Sequence, residues 1–293
     1  MSKFWSGYAF LLKIHRMVTA LLFGCLLANA AHAGQVAVSN YPLYLLSQAV
    51  TQGQQDAVLL LKAGDVGHHG SLSPSSLKQV QDSQFVVWFG EELEQNLAGS
   101  LTQAPNAIGL FKFNTFIRHP LRQMDGTPKP NSFDPHIWLN PTNAKAIVAA
   151  LSVIHGHANP DLKSVYQANA QAFFKKMDAA SALYRHQAPT PYWAYHDAYQ
   201  YLEAPLKLTL AGTLTPDHHL SPKASRFRVL NETRPAPVMC LASQIPVSDG
   251  IQQKLGNVQT LVRQEDMSDG TDFIDAWTEL ADSLIKCTQA QTA

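Results

Sequence analysis

Residues 159–186 read NPDLKSVYQANAQAFFKKMDAASALYRH, and how this stretch folds decides the architecture. Asn159 suits an N-cap, Pro160 suits the first helical turn, and Asp161 complements the helix dipole. Leu162, Val165, Tyr166, Ala170, Phe173, Met177, Ala180 and Tyr184 recur near the 3.6-residue period of a single helix. At 1.5 Å per residue such a helix runs about 40 Å, the height of a whole domain. Pro189-Thr190-Pro191 closes it, because proline has no N–H to continue the ladder. The stretch is therefore expected to be a rigid connecting helix over residues 159–187. The alternative is an ordinary crossover helix inside one larger domain.

On either side, short apolar runs alternate with helical stretches. Before it, Gln35–Ser39, Ala57–Leu61, Phe85–Phe89 and Ala107–Phe111 are short, rich in branched or aromatic residues and bounded by turn formers, as buried strands are. Pro42–Val50 and Pro74–Gln81 read as helices, the second capped by Ser73. After it, Trp193–Tyr195, Leu206–Leu210, Val238–Ala242 and Gln259–Val262 are the strand candidates. Lys223–Thr233, Ser248–Leu255 and Thr271–Cys287 are the helical ones. Alternation of this kind implies an α/β protein of two lobes, each a mostly parallel sheet flanked by helices, joined by one long rigid helix. The expected boundaries are 34–158 for the first lobe and 188–293 for the second. Arg118–Phe133, rich in proline and polar residues, reads as a surface loop.

Of the 293 residues 46% are apolar and 15% charged, a composition for folding rather than disorder. Twenty-two basic residues balance 22 acidic ones, so no basic field draws nucleic acid or anionic lipid.

The N-terminus reads as an export signal spanning residues 1–33. Lys3, Lys13, His15 and Arg16 precede the apolar run Met17–Leu27, and Ala31-His32-Ala33 offers small residues for cleavage after Ala33. A membrane anchor is the alternative, but the run is short for a span of roughly 20 residues. Export removes Cys25 and leaves Cys240 and Cys287, an even pair in an oxidising compartment, for which a disulfide is expected over two buried thiols.

Twelve histidines stand out, because imidazole is the commonest metal ligand at neutral pH. Three share a setting. His68 follows a strand and a glycine turn, His136 lies in a turn before a helical stretch that Asn140 can cap, and His196 follows a second-half strand. Ligands of open α/β sheets bind beyond the carboxyl ends of strands, so residues far apart in sequence can converge there. Three imidazoles with one oxygen ligand suit tetrahedral zinc.

HHGSLSPSSLKQVQDSQFVVWFGEELE (residues 68–94), DPHIWLNP (134–141) and YHDAYQYLE (195–203) resemble three segments of the metal-binding component of bacterial zinc and manganese ABC importers, the cluster A-I or ZnuA/TroA-like family. The resemblance covers nearly the whole mature chain, and the DPH segment is its most specific part. It implies His68, rather than its neighbour His69, as first ligand, with His136 and His196 as the others. A histidine rather than a glutamate at the third position favours zinc over manganese. The long helix and the cysteine pair agree with the zinc branch.

Two departures matter. Where zinc members carry a long histidine-rich loop before the DPH segment, this chain has only His119 and Asp125. Where the family offers a carboxylate after the last strand, the chain reads Leu261-Val262-Arg263-Gln264-Glu265-Asp266. Asp266 is the first candidate for fourth ligand, followed by Glu265, Asp269 or a water. His218-His219 reads as a solvated loop, and His155 and His157 as surface residues.

The expected function is that of a periplasmic, monomeric zinc-binding protein that carries Zn²⁺ as cargo to an ABC-type membrane permease and is not an enzyme. A manganese or iron carrier, a zinc-storage or adhesin-like protein and a secreted zinc enzyme are the competing classes. The last lacks a His-Glu-x-x-His helix to supply a general base.

Overall fold

The computed structural model describes residues 34–65, 70–185, 187–216 and 219–289. The expected signal segment 1–33 and the Gly67-His68-His69 turn lie outside the described residues.

Two four-stranded sheets, all parallel, make up the core layers. The first contains β1 (Val36–Val38), β2 (Val58–Leu59), β3 (Phe85–Trp88) and β4 (Ala107–Gly109) in the order β2-β1-β3-β4. The second contains β5 (Thr190–Ala194), β6 (Leu208–Thr213), β7 (Met239–Ser243) and β8 (Val258–Val262) in the order β6-β5-β7-β8. The order is thus the same in both halves. In each, the chain crosses from one side of its first strand to the other, and the crevice at that reversal is where α/β sheets bind ligands.

The helices of the first half are α1 (Tyr41–Thr51), α2 (Pro74–Asp82), α3 (Gln95–Leu101) and α4 (Pro141–Ala158). Ser73 caps α2 as expected, its hydroxyl accepting from the Ser76 amide at 3.1 Å. The long helix α5 covers Lys163–Ala182, about 30 Å of rise, and buries Tyr166, Ala170, Phe173, Met177 and Ala180 along one face. It is shorter than its sequence pattern. Asn159 ends α4 instead of capping α5, and Pro160–Leu162 forms a 3-10 turn between them. The second half adds α6 (Gln200–Leu206), α7 (Ala224–Glu232), α8 (Asp249–Leu255) and α9 (Phe273–Gln289).

Pro191 lies inside β5, although its lack of a donor argues for a boundary there. At that level β5 pairs only with β6, since β7 joins at Trp193 and Ala194, so no ladder bond to β7 is lost.

One hydrophobic cluster runs through both halves, from Val36, Leu43 and Val87 past Tyr166 and Phe173 to Ala242, Trp277 and Leu284. Polar ties follow the same path. The Trp277 indole donates to the Leu139 carbonyl at 2.9 Å, and the Tyr184 hydroxyl donates to Asp282 at 2.6 Å. In the second half Cys240 of β7 and Cys287 of α9 form a disulfide. In the first, buried polar groups serve as ties. The Glu94 carboxylate accepts from Asn40 Nδ2 at 2.7 Å and from the Phe89 amide at 2.8 Å, joining the ends of β1 and β3. Burial raises that carboxyl to about 7, against the hydrogen bonds that lower it. His155, expected on the surface, is 1% exposed and bonds Ser47 Oγ at 2.7 Å, because α4 turns that face onto α1 and α5. His157, one turn face away, is exposed.

Candidate metal centre

His136 sits at the end of the long segment after β4, just ahead of a 3-10 turn, Ile137–Leu139. The Asn140 side chain accepts from the Thr142 and Asn143 amides and starts α4, with Pro141 in its first turn, so the chain direction beyond His136 is set by capping. Asp134 fixes the imidazole. One of its carboxylate oxygens accepts from the His136 amide at 3.0 Å and lies 2.6 Å from Nδ1. Nδ1 so engaged leaves Nε2 facing the Glu265 carboxylate, the usual way a carboxylate orients a metal-binding histidine.

His196 follows β5 with one residue between, and Glu265 follows β8 closely. The Glu265 carboxylate reaches both rings, with Oε1 3.2 Å from His136 Nε2 and Oε2 3.3 Å from His196 Nε2. The three candidate ligand atoms all lie within 4.8 Å of one another, and the residues are buried. Ligands at about 2.0–2.2 Å from a tetrahedral ion stand roughly 3.4 Å apart, so the spacing fits one metal ion. The Trp138 indole donates to the Glu265 carbonyl at 2.9 Å, tying the acid to the His136 turn.

The electrostatics suit a cation. Burial pushes the His136 imidazole down, but the Asp134 and Glu265 carboxylates push it up further, to about 10. An imidazolium is thus stabilised where a metal cation would sit.

Asp266, the first candidate for the acidic ligand, faces elsewhere. Its Oδ2 accepts from the Gly64 amide at 3.1 Å, and its Oδ1 accepts from the Ser268 amide and hydroxyl at 3.0 and 2.6 Å. Asp269 accepts from the Gln264 amide. The turn after β8 therefore presents Glu265 to the histidines. A one-residue difference of this kind depends on backbone direction, which the string Gln264-Glu265-Asp266 does not carry. Asp134 was legible as part of the DPH motif but not as the orienting partner. Asp197, beside His196, pairs with Arg122 rather than with an imidazole. Of the expected ligands, the structure brings His136 and His196 together, and His68 lies outside the described residues. The approach to it is described: Gly64 is the residue bonded to Asp266, next to Glu265. His218 is also outside the described residues, and His219 is exposed.

A family model described as zinc-uptake complex component A, periplasmic, matches residues 36–287. The high-affinity zinc uptake system protein ZnuA of Brucella abortus (strain 2308) is 24% identical over 331 aligned residues, covering 94% of this chain and 98% of that protein. Among solved structures, Zn(II)-bound AdcA from Streptococcus pneumoniae superposes with a TM-score of 0.68 at 22% identity, over 87% of this chain and 57% of that longer one. The laminin-binding protein Lmb of Streptococcus agalactiae, described as having adhesin and metal-transporting activity, gives 0.70 at 17% identity over 87% of this chain and 99% of its own.

Proposed function

This chain belongs to the family of the periplasmic component A of zinc-uptake complexes, and from that premise we propose that it binds one Zn²⁺ in the cleft and delivers it to an ABC-type membrane permease. The observation that carries the reading is the convergence of His136, from the long segment after β4, with His196 and Glu265, from the ends of β5 and β8, on one buried point.

His68 supplies the remaining ligand in this reading. Four protein ligands then close the tetrahedron, which suits carriage. A zinc enzyme keeps one position open for water or substrate. Two or three imidazoles with one carboxylate suit zinc better than manganese, which prefers oxygen-rich shells. The mature protein begins at Gly34 and works as a monomer in the periplasm. Among the described residues no helix is long and apolar enough to cross a membrane.

Titration calorimetry on metal-free mature protein tests the reading. One Zn²⁺ per chain, with manganese displaced by equimolar zinc, is the expected result. Preferential retention of manganese, or hydrolysis of ester and peptide substrates by the zinc-loaded protein, overturns it.

A further inference from the structure

The segment read as a surface loop is a hairpin. Within residues 118–134, Lys129 N donates to Leu121 O at 2.7 Å and Gln123 N to Thr127 O at 2.8 Å, and Arg122 bridges antiparallel to Pro128. Gly126, at φ 86°, makes the tip. Both ends of the hairpin belong to the first half, yet its side chains and tip bind the second. Arg122 donates to both oxygens of Asp197, Nε at 2.8 Å and Nη2 at 2.6 Å. It also donates to both oxygens of Glu203, Nη1 at 3.0 Å and Nη2 at 2.6 Å. The Met124 carbonyl accepts from Arg226 at 2.9 Å. At the stem, the Tyr201 hydroxyl donates to the Asp134 carbonyl at 2.8 Å.

The placement of these bonds is what matters. Asp197 directly follows His196, and Asp134 is the residue that orients His136. The hairpin thus touches the neighbours of a candidate ligand on each side of the cleft. Separating the halves, or swinging the His196 turn, requires breaking the Arg122 bonds first. Only a planar guanidinium can serve two carboxylates with paired N–H donors at once, since an ammonium is a single point of charge. The side chain is mostly buried, 12% exposed, so water does little to weaken the pairs.

We propose that residues 118–134 form a clasp across the cleft in which Arg122 is a positioning residue for His196, acting through Asp197 to set how long the cargo is retained. The retention part rests on the zinc-carrier reading above. Asp266 forms a companion latch on the other ligand, since it follows Glu265 and holds Gly64 of the first half.

The test uses mature protein with Arg122→Lys, and with Arg122→Met, Asp197→Asn and Glu203→Gln combined, which removes the charges without stranding a buried one. Release of bound zinc to excess chelator is followed by stopped flow. Amide exchange is followed at 194–199 in metal-free protein. The triple variant is expected to keep one zinc per chain but release it roughly tenfold faster or more, the usual scale for outer-shell partners, with faster exchange at 194–199. Arg122→Lys is expected to fall between it and the parent. A merely structural role lowers the melting temperature and leaves release from folded protein unchanged. Release within twofold of the parent in both variants overturns the clasp, and if the triple variant does not fold, Arg122→Lys decides. If the parent itself binds no zinc, the carrier reading fails separately, and unchanged exchange at 194–199 then overturns the clasp.

Discussion

In the second half the sheet hands its candidate ligands to the site almost directly, with only Tyr195 between β5 and His196 and a short turn between β8 and Glu265. In the first half everything from Leu110 to Pro135 lies between β4 and His136. The internal ties differ too. The second half is cross-linked by Cys240–Cys287, while the first relies on buried polar groups such as Glu94 and His155. A ligand at a strand end inherits its position from the sheet. A ligand on a long segment needs its own supports, which here are Asp134, the Asn140 cap and the hairpin. The two halves should therefore fail under different stresses.

Reduction should hit the second half hardest. The disulfide closes a loop across a sequence separation of 47 residues, which in the chain-entropy model contributes about 4 kcal/mol at 25 °C. Cys240→Ser with Cys287→Ser should lower the unfolding free energy by about that much, with exchange rising first in β7 and α9. A loss of under about 1 kcal/mol, or exchange rising first around β1 and β3, breaks the comparison.

Acid should act on the first half through two opposed groups. Burial depresses the His155 imidazole to about 4, with Asp56 opposing weakly, so the folded protein keeps it neutral. The unfolded chain takes up a proton near pH 6.5. Its contribution is therefore complete above pH 6.5 and is lost as pH falls toward 4, by roughly 3 kcal/mol. Glu94, raised to about 7, works in the opposite direction, so the measurement is a difference. Denaturant unfolding of His155→Gln and the parent should diverge in slope between pH 6.5 and 4. Parallel curves would remove His155 from the account.

At the site itself the two halves should count equally. His136→Ala, His196→Ala and Glu265→Ala should each weaken zinc binding by at least about a hundredfold, roughly 2.7 kcal/mol. A loss for one histidine and none for the other would show that the metal belongs to one half only. His68→Ala should match them and exceed His69→Ala.

The smallest effects sharpen the comparison most. Asp134→Asn should cost about tenfold in affinity, because His136 depends on it for orientation. Asp266→Asn should cost less than about threefold, since its carboxylate binds Gly64 and Ser268. Calorimetry giving the reverse order would favour Asp266 as the acidic ligand.

What the sequence made legible follows the same division. The apolar runs located all eight described strands, because buried parallel strands are short and nearly continuous in branched residues. His136 and His196 were legible as candidates because one precedes a cappable helix start and the other follows a strand. Less legible were features that depend on backbone direction over a few residues or on partners far away. Glu265 against Asp266 is a matter of which side chain a turn aims inward. The burial of His155 depends on α1 and α5 covering a face of α4. Residues 118–133 lie largely on the surface as expected, but their hairpin was not legible, because Arg122 is satisfied by carboxylates in the other half.

The hydrophobic cluster that runs through both halves bears on how the chain reaches its native state. Trp277, in the last helix, completes packing against Leu139 of the first half, 138 residues earlier. The amino-terminal half emerges from the ribosome first, yet part of its core is made last. It cannot close early into a finished unit during synthesis. Contacts this distant in sequence slow folding, because loop closure must come before the packing that rewards it. A nascent polypeptide with this wiring completes the core of its first half only after the segment that carries Trp277 has been made.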